Sequence, residues 1–147
     1  MANEQQLDLL KQEVATAWNM WREEHPGTAI ELNGVDLSEA NLGEVNLAGA
    51  DLSFADLSRA DLNNANLSRA RLVRADLSGA NLAAADLSAA DLSKANLREA
   101  NLRDADLAGA NLHGADVREA RLYWALLEGA LITPEQLSQA SVGGDSL

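Results

Sequence analysis

Two histidines, His25 and His113, are the only side chains in this sequence that titrate near neutral pH, and they stand 88 residues apart. His25 falls where a helix should end, His113 at an outward place of a repeat, and neither context supplies a catalytic triad or a metal shell. Cysteine is absent, which removes thiolate nucleophiles, thiolate metal sites and disulfides. There is no nucleophile elbow of the Gly-x-Ser-x-Gly kind, no phosphate-binding loop and no His-Glu-x-x-His pair. Serine is plentiful but recurs at one repeating place, which argues against any single serine being a nucleophile. The expectation is a protein that is not an enzyme, with no cofactor and no metal.

Carboxylates are what remains. Asp36, Asp56, Asp76 and Asp116, with Asn96 between the last two, recur every twenty residues. A chain that coils once per twenty residues would stack them in a column. Such a column could hold cations or present a line of negative charge to a partner. One carboxylate per coil does not supply the six to eight oxygens of a calcium site, which leaves charge display as the sharper option.

The element that must position them is an array of five-residue units. Twenty units follow one another from Val35 to Pro134 with the consensus Ala-(Asp/Asn)-Leu-x-x: eighteen centres are Leu, the exceptions being Val117 and Ile132. The place two before the centre is Ala except at Val35 and Val45, and the place between is Asp or Asn except at Arg71, Arg121, Leu126 and Leu131. Such self-similarity overrides ordinary domain logic. On a helix, five residues turn about 140° past a full circle, so the Leu residues would scatter. On a straight strand, an odd spacing would put successive Leu side chains on opposite faces. The chain must therefore bend once per unit, with Leu and Ala pointing to a shared axis and coils stacked about 4.8 Å apart. Ala suits a narrow interior, and a Phe in its place would overpack it. Asp and Asn suit a place beside a corner, and Gly34, Gly49, Gly79, Gly109, Gly114 and Gly129 fall at the last place of a unit, where a sharp bend is needed. Pro26 and Pro134 lie outside or at the edge of the array, where no coil-to-coil bond is lost.

An uninterrupted Ala-(Asp/Asn)-Leu-x-x array resembles the pentapeptide repeat family. The resemblance implies an all-β solenoid, a right-handed quadrilateral parallel β-helix with four units per coil and about five coils, giving a rod of about 24 Å. Ile30 to Gly34, centred on Leu32, reads as a degenerate leading unit. The resemblance also raises a cyanobacterial source, because the family is abundant there. Some of its members bind DNA gyrase by imitating a duplex and confer quinolone resistance; in this sequence Asp36, Asp56, Asp76 and Asp116 would form the acidic column. That alternative is weakened by magnitude: about 24 Å of duplex carries about 14 charges, whereas residues 35–134 hold 15 acids and 9 bases. Gyrase-binding members also commonly carry Phe at their centres, and no centre here is aromatic.

A solenoid exposes its core and its edges at both ends, so caps are expected. The division is an N-terminal amphipathic capping helix in residues 1–29, the repeat β-helix in 30–134, and a short capping helix with a disordered tail in 135–147. Leu7, Leu10, Val14, Ala17 and Trp21, with Trp18 beside them, follow helical spacing from Glu4 to about Glu24, with Asn3 as N-cap. This face either folds onto the first coil or pairs with another helix. Thr133-Pro134-Glu135-Gln136 is a helix start, with Leu137 inward. Just before it Tyr123, Trp124, Leu126 and Leu131 break the outward pattern, either supporting the cap or forming a dimer interface. Ser141 to Leu147 reads as disordered.

The net charge is −12. That balance opposes direct binding to nucleic acid, which needs concentrated Lys and Arg. No stretch is long and apolar enough to span a bilayer, and the N-terminus lacks a signal-peptide pattern. The expected protein is therefore a cytoplasmic, non-enzymatic structural or protein-interaction module with an unidentified protein partner, a monomer or a weak homodimer through a terminal cap. Its candidate contacts are Trp18, Trp21, Tyr123, Trp124, Leu126 and Leu131.

Overall fold

The computed structural model describes residues 3–12 and 15–143. The periodic Leu is its organising fact. Parallel bridges join Glu31 to Asp51, Asp36 to Asp56, Asn41 to Asp61 and Asn46 to Asn66, and the same twenty-residue step repeats along the rod to Arg121 and Ser141. A coil is therefore four units, one per side. The first side carries Glu31, Asp51, Arg71, Asp91, Asn111 and Leu131, and the second carries Asp36, Asp56, Asp76, Asn96 and Asp116. The third runs from Asn41 to Ser141 and the fourth from Asn46 to Leu126. Each side contributes single-residue bridges, and no named β-strand occurs among the described residues.

The consensus follows from where the five amides of a unit go. In Ala75-Asp76-Leu77-Ser78-Gly79, the Ala75 amide closes a turn onto the Leu72 carbonyl, the Asp76 amide reaches back one coil to Ala55, and the Leu77 and Gly79 amides reach forward to Asn96 and Arg98. Only the Ser78 amide has no backbone acceptor, and the Asp76 carboxylate takes it at 2.9 Å. Every Asp or Asn at this place from Asp36 to Asp116, except Asn41, does the same for the residue two after it. Buried backbone donors must be paired, and this is how the fifth one is paired. The last place of every unit from Gly34 to Gly129 has positive φ, from 56° at Trp124 to 73° at Gly34 and Gly129, the left-handed third residue of a type II turn. The six glycines expected there all have it.

Leu and Ala fill the axis. From Leu47 to Leu112 every centre is buried to within 1% of its surface, and the Ala residues between them are equally closed. Ile30 to Gly34 is a full rung: Glu31 pairs with Asp51, and Leu32 is buried.

The N-terminal cap departs from the single helix expected over Glu4–Glu24. It is two helices, α1 (Glu4–Leu10) and α2 (Ala15–Glu24). One straight helix over that span would be about 31 Å long, whereas five residues per side cannot exceed about 18 Å. Breaking near Lys11 lets α1 lie by the first side and α2 by the fourth. Val14, expected on the apolar face, lies outside the described residues. Asn3 caps α1 as expected, accepting from the Gln6 amide, but the Gln6 side chain does not reach back to it. Instead it turns onto the rod, donating to the Ala29 carbonyl at 2.8 Å and accepting from the Glu31 amide at 2.9 Å. A buried side-chain amide thus stands in for the missing previous coil.

At the other end, α3 (Pro134–Gln139) begins with the expected capping box of Thr133 and Gln136. The Gln136 amide also donates to the carbonyls of Leu112 and Ala115, at 2.7 and 3.0 Å. Leu137 packs on the core, half-buried. The helix takes the place of one unit on the second side without changing the residue count. The chain then rejoins the coil, Ser141 pairing with Arg121 and bonding to the Leu122 amide and the Ala120 carbonyl. The disordered tail expected from Ser141 is thus corrected at its start, because a returning rung has partners waiting; residues 144–147 lie outside the described residues.

Candidate interaction surfaces

The two tryptophans of α2 separate in role. Trp18 is wholly buried, and its indole N–H donates to the Asn46 carbonyl at 2.7 Å. Arg22 donates to the same carbonyl and to that of Ala48, both at 3.0 Å, and Asn19 accepts from the Asn46 amide. These are edge groups of the first coil that no preceding coil can satisfy. Half burial of the Arg22 guanidinium, away from water, lowers its pKa. Trp21 is half-buried, stacked between Trp18 (5.4 Å between ring centres) and His25 (4.6 Å). His25, expected as a plain surface residue, also closes α2 through its Nδ1, 2.8 Å from the Trp21 carbonyl.

The C-terminal candidates form a partial collar. Trp124 (62% exposed), Leu126 (58%) and Leu131 (62%) follow one another around the last rungs on the third corner and the fourth and first sides. Tyr123 is half-buried beside Trp124, and the Arg103 guanidinium lies over the Trp124 ring at 4.7 Å. A shallow cleft of about 770 Å³ borders Leu131, lined by His113, Gly114, Ile132, Thr133 and Gln136. On the same last rungs the amides of Leu127, Gly129 and Ile132 have no acceptor among the described residues.

Asp36, Asp56, Asp76 and Asp116 do stack in one column with Asn96. Each is occupied locally. Ser38, Ser58 and Ser78 donate both amide and hydroxyl to Asp36, Asp56 and Asp76. The Ser38 hydroxyl and amide hold the Asp36 carboxyl below its usual range. Asp116 is forked by Arg118 at 2.9 and 2.6 Å, which lowers its pKa and raises that of the guanidinium. Arg98 and Arg118 share this corner, so the column is partly neutralised at its C-terminal end. The third side carries a weaker ladder, Asn101 donating to Asn81 (3.4 Å) and Asn81 to Asp61 (3.3 Å).

Among the described residues no group of three or more His, Cys, Asp or Glu side chains could hold a metal ion. No described helix is long and apolar enough to cross a membrane.

What sequence reasoning missed are the polar caps. Gln6, Asn19 and Arg22 bond the exposed rim through side-chain amides and a guanidinium, and nothing in a hydrophobic pattern marks them.

The family profile described as Pentapeptide repeats matches in eight copies over residues 30–69, 60–98 and 85–122. Among curated proteins, none matches the chain. Among solved structures, HetL, a pentapeptide repeat protein involved in heterocyst differentiation regulation in the cyanobacterium Nostoc, is 40% identical with a TM-score of 0.68, over 76% of this chain and 46% of HetL. The chain thus spans about half the length of HetL. A pentapeptide repeat protein from the Arabidopsis thaliana thylakoid lumen is 28% identical with a TM-score of 0.66, over 78% of this chain and 79% of that one. A second Nostoc pentapeptide repeat protein is 34% identical with a TM-score of 0.59, over 85% and 94%. With the five-residue register, the twenty-residue coil and the profile match in agreement, the chain belongs to the pentapeptide repeat family.

Proposed function

We propose that this chain is a non-catalytic binding rod, right-handed in its coil like the family it belongs to, that holds a protein partner against its C-terminal rungs. The observation that carries the reading is the collar of Trp124, Leu126 and Leu131, large apolar side chains exposed on the last rungs. Exposed apolar side chains clustered on a rigid scaffold mark interaction sites. HetL, to which this rod is similar, is involved in the regulation of heterocyst differentiation. The reading places the rod in the cytoplasm, without direct contact to nucleic acid or membrane, and as a monomer or a weak homodimer through the same end. The N-terminal helices draw no support as a second contact, because Trp18 and Gln6 are consumed by the first coil. The duplex-imitating alternative draws little from an acidic column whose carboxylates are bonded to their own corners.

The test is affinity capture from the native cell with the wild type and with a Trp124→Ser/Leu131→Ser variant of equal Tm, followed by reconstitution with the purified candidate. The expected result is a defined partner whose affinity for the variant falls at least about tenfold, as for loss of an aromatic anchor. A partner bound equally well by both forms would overturn the contact. Inhibition of gyrase supercoiling at micromolar concentration would overturn the choice of protein partner in favour of duplex imitation.

A further inference from the structure

Three residues on adjacent rungs of the first side depart from the units around them. Among the consensus units from Val35 onward, Arg71 is the one departure before the last coil at the place where an Asp or Asn should take the corner amide. The Val73 amide consequently has no acceptor among the described residues. One coil earlier Phe54, the only Phe of the chain, occupies a left-handed corner (φ 62°) with 64% of its surface in water. A bulky aromatic is costly in that conformation, and most of this one lies in water rather than against the rod. Beside it Ser53, only 7% exposed, leaves its hydroxyl without a partner among the described residues, whereas Ser58, Ser78, Ser88 and Ser93 all donate theirs to the preceding Asp at 2.6 Å. Locally unfavourable choices that cluster on one face of a rod mark function.

The charges agree. Arg69, Arg71 and Arg74 cross the third rung of this side from corner to corner, and Lys94 stands one coil beyond Arg74. All four are exposed, and none makes an ion pair among the described residues. Phe54, Arg74 and Lys94 therefore form a ridge on one corner, about 4.8 Å per step, on a chain whose net charge is −12.

We infer that this ridge is a docking surface for an acidic polypeptide segment carrying an apolar side chain, the carboxylates meeting Arg71, Arg74 and Lys94 and the apolar group covering Phe54. The inference rests on the reading of the rod as a binding module but names a different surface. A phosphate backbone fits less well, because Asp51 and Asp91 flank Arg71 in its column and would repel evenly spaced charge. A peptide can place its carboxylates between them. The net negative charge of the molecule disfavours such a segment over most of the surface, which orients it to this side.

Two substitutions separate binding from folding. Arg71→Asp restores the missing acceptor for Val73, and Phe54→Gly relieves the strained corner, so both should raise the Tm. The probe is a fluorescein-labelled Glu-rich peptide carrying two leucines, titrated with the full chain by fluorescence anisotropy. Wild type should bind it in a salt-sensitive manner. Arg71→Asp should weaken binding at least about tenfold, within the range for lost interfacial charge pairs, and Phe54→Gly should also weaken it. An Arg98→Glu/Arg118→Glu control on the next corner should bind as wild type does. No binding by wild type, or equal binding by the Arg71 variant, overturns the inference. So does tighter binding of a single-stranded oligonucleotide, or a salt-labile homodimer that Arg71→Asp abolishes, since each assigns the ridge to another occupant. None of these results touches the Trp124/Leu131 surface, whose failure is read separately by capture with its own variant.

Discussion

Leu82→Asp leaves no folded protein: the expected result is a far-ultraviolet spectrum without native signal and no cooperative melt. Leu82 is fully buried at the centre of the rod, with Leu62 and Leu102 in the same register one coil either side, both equally closed. Truncating such a side chain alone costs about 2–5 kcal/mol. Burying an unpaired carboxylate, or protonating it to avoid that, adds several kcal/mol more. The sum is comparable to the whole stability of an ordinary domain, about 5–15 kcal/mol. Position matters as well. In a stack each coil rests only on its neighbours, so a failed middle coil divides the rod into halves that each need a cap. Leu82→Ala should give a folded protein with a lowered Tm, and Arg98→Ala, on an outer corner, should leave the Tm nearly unchanged. A cooperative melt of Leu82→Asp within a few degrees of wild type would show that the axis is not the dry core described here.

How much of this could be read from the residues depends on how local the cause is. The period of five decided the coil because Leu, Ala, Asp and Gly each answer a need that arises inside one unit: an axis, a narrow gap, a stray amide, a left-handed corner. The caps answer needs set by the far side of the fold. Gln6 looks like a helix residue three after an N-cap, yet its amide pairs with Ala29 and Glu31, more than twenty residues away. The break between α1 and α2 is legible only once the width of the coil is known. Ser141 resembled a tail residue because α3 interrupts the pattern, although it stands twenty residues after Arg121. The collar of Trp124, Leu126 and Leu131 was visible as departures from the consensus, and the structure adds that all three side chains are exposed. Arg71 was visible in the same way, but its cost became measurable only when every other Asp or Asn beyond Asn41 proved to be holding an amide.

Removing residues 1–26 should produce an aggregating species, and this tests what the N-terminal helices are for. Without them the first coil would expose Leu32, Leu37, Leu42 and Leu47, now buried, together with the amide and carbonyl of Glu31 and of Asn46. A sheet edge left open over an apolar surface invites pairing with another chain. Trp18→Ala is the milder form of the same test. It empties a fully buried indole site and removes one of the donors to Asn46 while Arg22 keeps the other. A loss of about 3–5 kcal/mol is expected from the cavity, read as a fall in Tm with the coil still folded. Trp21→Ala, at a half-buried site, should cost less. The order of the two variants carries the argument, because a helix pair reserved for a partner would show small and similar losses at both positions. Light scattering of the truncated chain decides the rest: a stable monomer with the wild-type Tm would mean that the first coil needs no cap, and that α1 and α2 serve another surface.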